Sequence, residues 1–419
     1  MTSVAYGALW FFTFALPWEN IIVIPGVGTI SRLAGMLALG LAVLAAVVSG
    51  RFRRWRFFQT GALLFVIWSA WNTYGGGYAF YGDYEMMTAK FRTYVQLLAV
   101  LWMIWELAPN ERRVRGLLVA FVAGAAVASL NTIFVYRTQG GTLSRFAAVG
   151  FDPNDLAATL ALALPMAWYL SITYRHPVLR WASRLYLPLA FVAIGLTGSR
   201  GGVLAAFTGL LIVPATTTRL SAGRIAMAAI TLVASAALAL AYIPDATLQR
   251  IGSTRAEVEE GTMNGRLRIW KAGVEALVQE PLIGYGTGGF DRAVRPILRY
   301  GQVAHNTFLQ VIVEQGILGF VLWLLMYGAA FQQVLTMPLL QRRFGYVVLA
   351  TLGVVFMPLT WDNQKAAWVI PALLVGLAAA VVRANAAATA ESPRRPAMAA
   401  ARPMRPARPI VVSRMSRDA

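Results

Sequence analysis

The chain is dominated by apolar runs of 13 to 25 residues that are separated by short stretches rich in arginine. A run of this length can cross the hydrocarbon core of a bilayer as a helix, and a water-soluble core of this size needs no such series. The composition agrees, because 58% of the residues are hydrophobic and only 13% are charged. The sequence therefore predicts an all-α polytopic membrane protein and excludes a soluble enzyme.

We predict about twelve transmembrane helices. The first is interrupted by the polar sequence from Pro17 to Asn20, and the seventh and eighth are short enough to form a re-entrant hairpin. That hairpin would begin and end on the same side, so the topology of the other segments does not depend on it. The apolar stretches lie near 4–24, 30–48, 60–74, 91–107, 116–136, 156–174, 185–198, 201–216, 224–243, 307–333, 345–358 and 366–382.

The distribution of basic residues sets the orientation. Placing both termini in the cytoplasm assigns 22 of the 37 basic residues to the cytoplasmic side, as the positive-inside rule requires. We therefore divide the chain into a membrane domain, residues 1–383, with one long outward loop at 243–304, and a basic tail, residues 384–419. The tail is too poor in bulky residues to build a core, and we expect it to be disordered. It either binds anionic lipid headgroups or only fixes the topology.

The residue inventory limits the possible chemistry. The chain has no cysteine and only two histidines, which lie far apart in the sequence, so it offers neither a thiolate centre nor a histidine cage for a metal. Gly284, Gly286 and Gly289 match the pattern G-x-G-x-x-G, but no βαβ unit surrounds them. We reject a dinucleotide site and expect a turn, or a close approach of backbone to substrate.

The long outward loop is basic and contains a predicted amphipathic helix. Eight of its residues are lysine or arginine, although a merely solvated surface would also account for this charge. Arg266 and Arg268 stand at the start of the helix, where free N–H groups of the first turn favour a phosphate. Apolar residues then recur at helical spacing through Gln279, as expected for a helix that lies along the membrane. These are Leu267, Trp270, Val274, Leu277 and Val278.

A polar stripe continues from the loop into the next apolar segment. Asn306, Gln310 and Glu314 are spaced by four residues and share one helix face. Ionisable residues at the depth of Glu314 are usually functional or paired, and we leave both alternatives open, with a buried arginine as the expected partner. His305 precedes this helix, either as a functional group or as an interfacial residue that caps the helix.

Two further arginines interrupt apolar sequence on the outward side. Arg200 is flanked by glycines and has no acidic residue nearby in the sequence, so a local ion pair is not expected. Arg145 precedes Asp152 and Pro153, which are typical of an N-cap followed by proline at the first helical position.

These motifs resemble those of the O-antigen ligase superfamily, which also includes O-antigen polymerases and protein O-oligosaccharyltransferases. His305 and Asn306, followed after nine residues by Gly316-x-x-Gly319, fit the pattern H-[NSQ]-x9-G-x-x-G that is associated with the ligases. The other motifs occur in the order usual for the family, over nearly the whole chain. Polymerases tend to have two sizeable outward loops, so the single long loop favours a ligase.

The resemblance implies transfer of an O-antigen glycan from undecaprenyl diphosphate to lipid A-core on the periplasmic face of the bacterial inner membrane. It makes His305 a general base and Arg266 a catalytic arginine, and it assigns substrate binding to Arg145, Arg200, Arg268 and Asn306. The partners would be these two glycolipids and membrane lipids, without nucleic acid. Since the donor carries its own activation and the chain lacks a D-x-D motif, we expect neither a metal nor another cofactor.

Two alternatives remain. An O-antigen polymerase would use the same donor chemistry with another carrier-linked glycan as acceptor. A transporter of lipid-linked glycan would perform no chemistry. It would typically have charged residues at the membrane midplane and broken helices in paired halves. Glu314 is the one such charge that the sequence indicates, and no broken helices are indicated. Both substrates of a ligase are anionic lipids, so we expect a groove that opens sideways to the bilayer with an arginine-lined mouth.

Overall fold

The computed structural model describes residues 1–50, 52–75, 84–139, 145–217, 265–391 and a few positions between 221 and 237. Apart from a short 3-10 helix, Leu16–Trp18, and an antiparallel pair of strands, β1 Val23–Ile24 and β2 Gly28–Thr29, the regular structure of these residues is α-helical. The helices are α1 Thr2–Ala15, α2 Ile30–Ser49, α3 Phe57–Tyr74, α4 Tyr84–Leu107, α5 Glu111–Gln139, α6 Pro153–Thr173, α7 Pro177–Thr197, α8 Arg200–Leu210, α9 Ile212–Thr217, α10 Arg266–Gln279, α11 Phe290–Leu298, α12 Thr307–Leu335, α13 Leu339–Phe356 and α14 Lys365–Glu391.

Within the described residues, eight helical spans are long and apolar enough to cross a membrane. They are α2, α5, α6, α7, α8 with α9, α12, α13 and α14. This agrees with an all-α polytopic membrane protein and does not establish the predicted number of twelve. The predicted seventh and eighth segments, α7 and α8–α9, are among the eight, so their length does not require a re-entrant hairpin.

Helices α6 and α14 are the most deeply buried of these spans. Helix α6 packs against α5, α7 and α8, whereas α14 packs against α4, α5 and α12. Small residues allow the close approach at α6, since a Cβ on Gly202 of α8 would lie only 2.3 Å from the Cβ of Ala157. This contact brings the N-terminus of α8, where Arg200 lies, against the first turns of α6.

Helix α12 is broken at Gly316, whose backbone is non-helical, with φ 65° and ψ −177°. The segment 281–286 lies along the break. The N–H of Tyr285 donates to the carbonyl of Val313 at 2.9 Å, and the N–H of Ile317 donates to the carbonyl of Pro281 at 2.8 Å. These bonds satisfy backbone groups that an intact helix would pair internally. The sequence indicated no broken helix, and this expectation is wrong for α12.

The glycines at this junction permit the close packing of the two backbones. A Cβ on Gly284 would lie 2.5 Å from the nitrogen of Gly316, and a Cβ on Gly316 would lie 2.2 Å from the carbonyl oxygen of Leu282. Gly319, the last glycine of the sequence motif, packs against the indole of Trp68. A close backbone approach of the glycine-rich segment is thus made to α12.

The predicted amphipathic helix is present as α10, and Trp270 and Leu277 of the predicted apolar set are partly buried against neighbouring apolar residues. Its buried residues, Ile269, Ala272, Gly273 and Ala276, include none of the five predicted apolar residues. Val274 and Val278, which belong to the predicted set, are exposed. The helix packs on α11 and α12 and presents these valines outward.

The predicted domain boundaries lie partly outside the described residues, because positions 243–264 of the long loop and 392–419 of the tail are not among them. Helix α14 continues through position 384 to Glu391, so the first residues assigned to the tail are helical.

Candidate active site

A cavity of about 540 Å³ opens where α4, α6, α11 and α12 approach one another. Its wall includes His305 and the first residues of α6, and its inner part includes Lys90, Gln310 and Glu314. The volume is within the range of roughly 300–1,000 Å³ that small-molecule sites occupy. The polar stripe predicted on α12 therefore faces this cavity through Gln310 and Glu314.

His305 lies at the turn that leads into α12. Its backbone has a positive φ of 47°, and its N–H donates to Thr360 Oγ1 at 3.1 Å. The N-cap of α12 is Asn306, whose side-chain oxygen accepts the N–H of Leu309 at 3.0 Å. The alternative in which His305 caps the helix is therefore wrong, and the His305 side chain lines the cavity.

The surroundings of His305 favour its neutral form. Burial lowers the pKa of this imidazole below the ordinary 6.5, and the positive charge of Arg266 lowers it further. The carboxylate of Asp152 acts in the opposite direction and raises it. Near pH 7 the imidazole is consequently unprotonated and can accept a proton, as a general base must.

Arg266 and Arg200 each stand at the start of a helix, α10 and α8 respectively. Arg266 is the first residue of α10 and follows Gly265, which has a left-handed backbone. Arg200 is the first residue of α8, whose N-cap, Ser199, accepts the N–H of Gly202 at 3.2 Å. Burial lowers the pKa of Arg266, and the charge of Arg200 lowers it further. Arg266 thus lies within electrostatic range of both His305 and Arg200.

The other two predicted arginines have different surroundings. Arg145 donates from Nε to the carbonyl of Thr197 at 2.9 Å and from Nη2 to Asn154 Oδ1 at 2.7 Å. It therefore links the end of α7 to Asn154, which lines the cavity. Arg268 is exposed, and its guanidinium lies 5.9 Å from the ring centroid of Tyr300.

The inner part of the cavity contains a buried charge network. Lys90 Nζ lies 2.7 Å from Glu314 Oε2 and 2.8 Å from Asp362 Oδ2. Glu314 also accepts the N–H of Gly288 at 2.9 Å and a hydrogen bond from Gln310, and Asp362 accepts one from the hydroxyl of Tyr94. The partner of Glu314 is thus a lysine and not the expected arginine. Sequence reasoning missed Lys90, although it is one of only three lysines in the chain.

Carboxylates line much of the cavity, in contrast to the arginine-lined mouth expected from the sequence. Asp152, Asp155, Asp291 and Glu314 contribute to its wall, and no arginine is among the described residues that do. Asp152 is the N-cap of α6, as predicted, and accepts the N–H of Asn154 at 2.7 Å. Its additional position on the cavity wall could not be read from the capping pattern.

The fold and the site together describe a polytopic membrane protein with a polar cavity and a neutral histidine on its wall. One arginine, Arg266, lies within electrostatic range of that histidine. A family model described as O-antigen ligase matches residues 185–324. That range contains Arg200, Arg266, His305 and the two motif glycines of α12, whereas Arg145 precedes it.

Two curated proteins are similar to this chain. The O-antigen ligase of Pseudomonas aeruginosa is 24% identical over 339 residues, which cover 78% of this chain and 73% of that protein. The exopolysaccharide production protein ExoQ of Rhizobium meliloti is 24% identical over 304 residues, which cover 59% of this chain and 67% of that protein. With the family match, these similarities support the assignment of the chain to the O-antigen ligase superfamily.

Proposed function

We propose that the protein is a metal-independent glycosyltransferase that moves an O-antigen glycan from undecaprenyl diphosphate to lipid A-core, at the periplasmic face of the bacterial inner membrane. The observation that carries the proposal is the position of His305, which faces a polar cavity and lies within electrostatic range of Arg266, which in turn lies within range of Arg200. A base and a group of guanidinium donors are what this reaction requires of the protein.

In this reaction a hydroxyl oxygen of the acceptor sugar attacks the anomeric carbon of the donor glycan. The bond from that carbon to the diphosphate oxygen breaks, and the diphosphate leaves with the electron pair. The acceptor hydroxyl loses its proton to His305, which is neutral before the reaction. Negative charge grows on the leaving diphosphate, so Arg266 and Arg200 stabilise the transition state more than the ground state.

The other predicted site residues have supporting roles. Arg145 holds Asn154 on the cavity wall through a hydrogen bond of 2.7 Å. Asn306 caps α12 and thereby fixes the turn that carries His305. Arg268, exposed on α10, would contact the more distal phosphate or the headgroups of surrounding lipids.

A polymerase of the same superfamily is the second candidate, since one of the two similar proteins is named for exopolysaccharide production and not as a ligase. The relative named as a ligase is matched over a larger share of this chain, 78% against 59%, at the same identity. The single long outward loop predicted from the sequence supports the same choice, and so does the spacing of the histidine and glycine motif. We therefore place the ligase first.

Glycolipids of cells that lack the protein distinguish the candidates. Loss of a ligase leaves long O-antigen on the undecaprenyl carrier and lipopolysaccharide with a bare core. Loss of a polymerase leaves core that bears a single repeat unit, because a separate ligase still acts. Loss of a transporter leaves the lipid-linked glycan on the cytoplasmic leaflet. Complementation with the wild-type chain and with His305→Ala, at matched membrane abundance, assigns the phenotype to the site.

A further inference from the structure

We propose that the 540 Å³ cavity binds the acceptor sugar, and that Asp152 and Asp155 make it select an uncharged sugar over an anionic one. This inference rests on the proposed transfer reaction and adds to it a place and a chemical class for the acceptor.

The arrangement around His305 separates two environments. Arg266 lies within electrostatic range of the histidine and Arg200 lies within range of Arg266, and neither arginine lines the cavity. The cavity, which the histidine does line, has carboxylates on its wall. A diphosphate is stabilised in the first environment and repelled from the second. The leaving group therefore belongs at the arginines, and the cavity is left for the acceptor, whose hydroxyl must reach the base.

The charges of the cavity do not cancel. Lys90 is paired with Glu314 and Asp362, and Asp291 is paired with Arg295. Asp152 and Asp155 remain, and among the described residues neither forms an ion pair. The acceptor sugar therefore meets the carboxylates of Asp152 and Asp155, and no ion pair among the described residues neutralises them.

Hydrogen bonds hold these two carboxylates in place without neutralising them. Asp152 Oδ1 accepts the N–H groups of Asn154 and Asp155, at 2.7 Å and 3.3 Å. Asp155 Oδ1 accepts the indole N–H of Trp361 at 2.8 Å. Both lie at the N-terminal end of α6, where the helix dipole favours negative charge. The carboxylates are consequently fixed in position as acceptors for sugar hydroxyls.

The rest of the wall suits an uncharged, hydroxyl-rich ligand. Asn154, Gln302, Asn363 and Thr360 contribute amide and hydroxyl groups that can both donate and accept hydrogen bonds. A sugar hydroxyl has the same dual character. A carboxylate or phosphate on the acceptor sugar would instead face Asp152 and Asp155 at short range.

The test uses two acceptors that differ at one carbon. Lipid A-core ending in glucose and the same lipid ending in glucuronic acid are offered separately to the full chain in lipid nanodiscs, with lipid-linked glycan as donor. We expect the wild-type chain to prefer the neutral acceptor by about tenfold or more in kcat/KM, since a like charge at this range is repelled through a partly wet site. Asp152→Asn and Asp155→Asn should each reduce this preference several-fold.

The variants are chosen to preserve structure. Asparagine caps a helix about as well as aspartate, so Asp152→Asn keeps the start of α6. The amide introduced by Asp155→Asn keeps an oxygen that can accept the indole N–H of Trp361. Glu275→Gln is the matched control, because Glu275 is an exposed acid on α10 that does not line the cavity. It should leave the preference unchanged.

The ratio between acceptors separates this inference from the proposed function. A preference that is the same in wild type, Asp152→Asn and Asp155→Asn would overturn the charge selection while leaving the transfer reaction intact. Failure of the wild-type chain to use either acceptor would contradict the proposed function instead. The affinities of the two acceptors for the protein in nanodiscs would then test the inference. Tighter binding of the neutral acceptor would support it, and equal affinities for the wild-type chain would overturn it.

Discussion

Lys90 on α4 and Glu314 on α12 form an ion pair of 2.7 Å, although 224 positions separate them in the sequence. The Glu314 side chain is fully buried, and that of Lys90 is only 10% exposed. Lys90 also pairs with Asp362, which precedes α14. A single ammonium group thus connects three parts of the chain beneath the cavity, and its removal leaves two buried carboxylates without a cation.

Lys90→Met should therefore destabilise the protein by about 3–5 kcal/mol, the usual cost of breaking a buried ion pair from one side. Thermal unfolding in detergent, together with the yield of folded protein, measures this. Arg92→Met is the matched control, because Arg92 lies on the same helix with an exposed side chain. Glu314→Gln should cost less than Lys90→Met, since Lys90 keeps Asp362. Equal midpoints for the two methionine variants would show that the network contributes little.

Gly316→Ala should also destabilise the protein, because its φ of 65° disfavours any side chain and the new Cβ would lie 2.2 Å from the Leu282 carbonyl oxygen. A backbone at φ 65° and ψ −177° lies in a region that is almost restricted to glycine, and another residue there costs roughly 1–3 kcal/mol. Gly328→Ala is the control in the same helix, where a Cβ meets nothing within 4 Å. Thermal unfolding midpoints compare the two variants. A chain that accepts both alanines equally well would contradict the break in α12.

The contrast between His305 and Lys90 shows which parts of the site the sequence could predict. His305, Arg200 and Arg266 lie in local motifs, and so do the glycines of α12, so a linear pattern was sufficient to find them. Lys90 acts through partners that are distant in sequence, and the break at Gly316 depends on hydrogen bonds from the separate segment 281–286. Such roles depend on tertiary contacts, which a linear pattern does not contain.

Asp152 illustrates a second limit. The sequence Asp-Pro predicted its capping role correctly, because an N-cap is a local arrangement. Its place on a cavity wall beside His305 follows from the packing of α6 near α12 and the loop before α14, and no local pattern indicates a carboxylate-lined cavity. The expectation of arginines there came from the charge of the substrates alone.

The pH dependence of kcat/KM should have its acidic limb below 6.5, since burial and Arg266 lower the pKa of His305. The base acts when unprotonated, so the rate rises with pH through this lowered pKa and then levels off. Arg266→Ala should move the limb to higher pH even as it lowers the rate, and Asp152→Asn should move it to lower pH. If the acidic limb stays at the same pH in both variants, it does not report the titration of His305.

Lysine should replace Arg200 and Arg266 poorly. An ammonium group provides a point charge, whereas a guanidinium can donate two parallel hydrogen bonds to phosphate oxygens. We expect each lysine variant to retain only a small part of the wild-type kcat/KM, at matched membrane abundance. Full activity in Arg266→Lys would reduce that residue to a source of positive charge.

The most direct test of the central claim is transfer by purified protein in nanodiscs, with defined undecaprenyl diphosphate glycan as donor and lipid A-core as acceptor. The wild-type chain should form the conjugate in the presence of EDTA. His305→Ala should lower kcat by about 10²- to 10⁴-fold, the range for loss of a general base, with donor binding largely kept. His305→Asn should be as impaired, because Asn306 already caps α12. Wild-type kcat in either histidine variant, or no conjugate from the wild-type chain, would contradict the account.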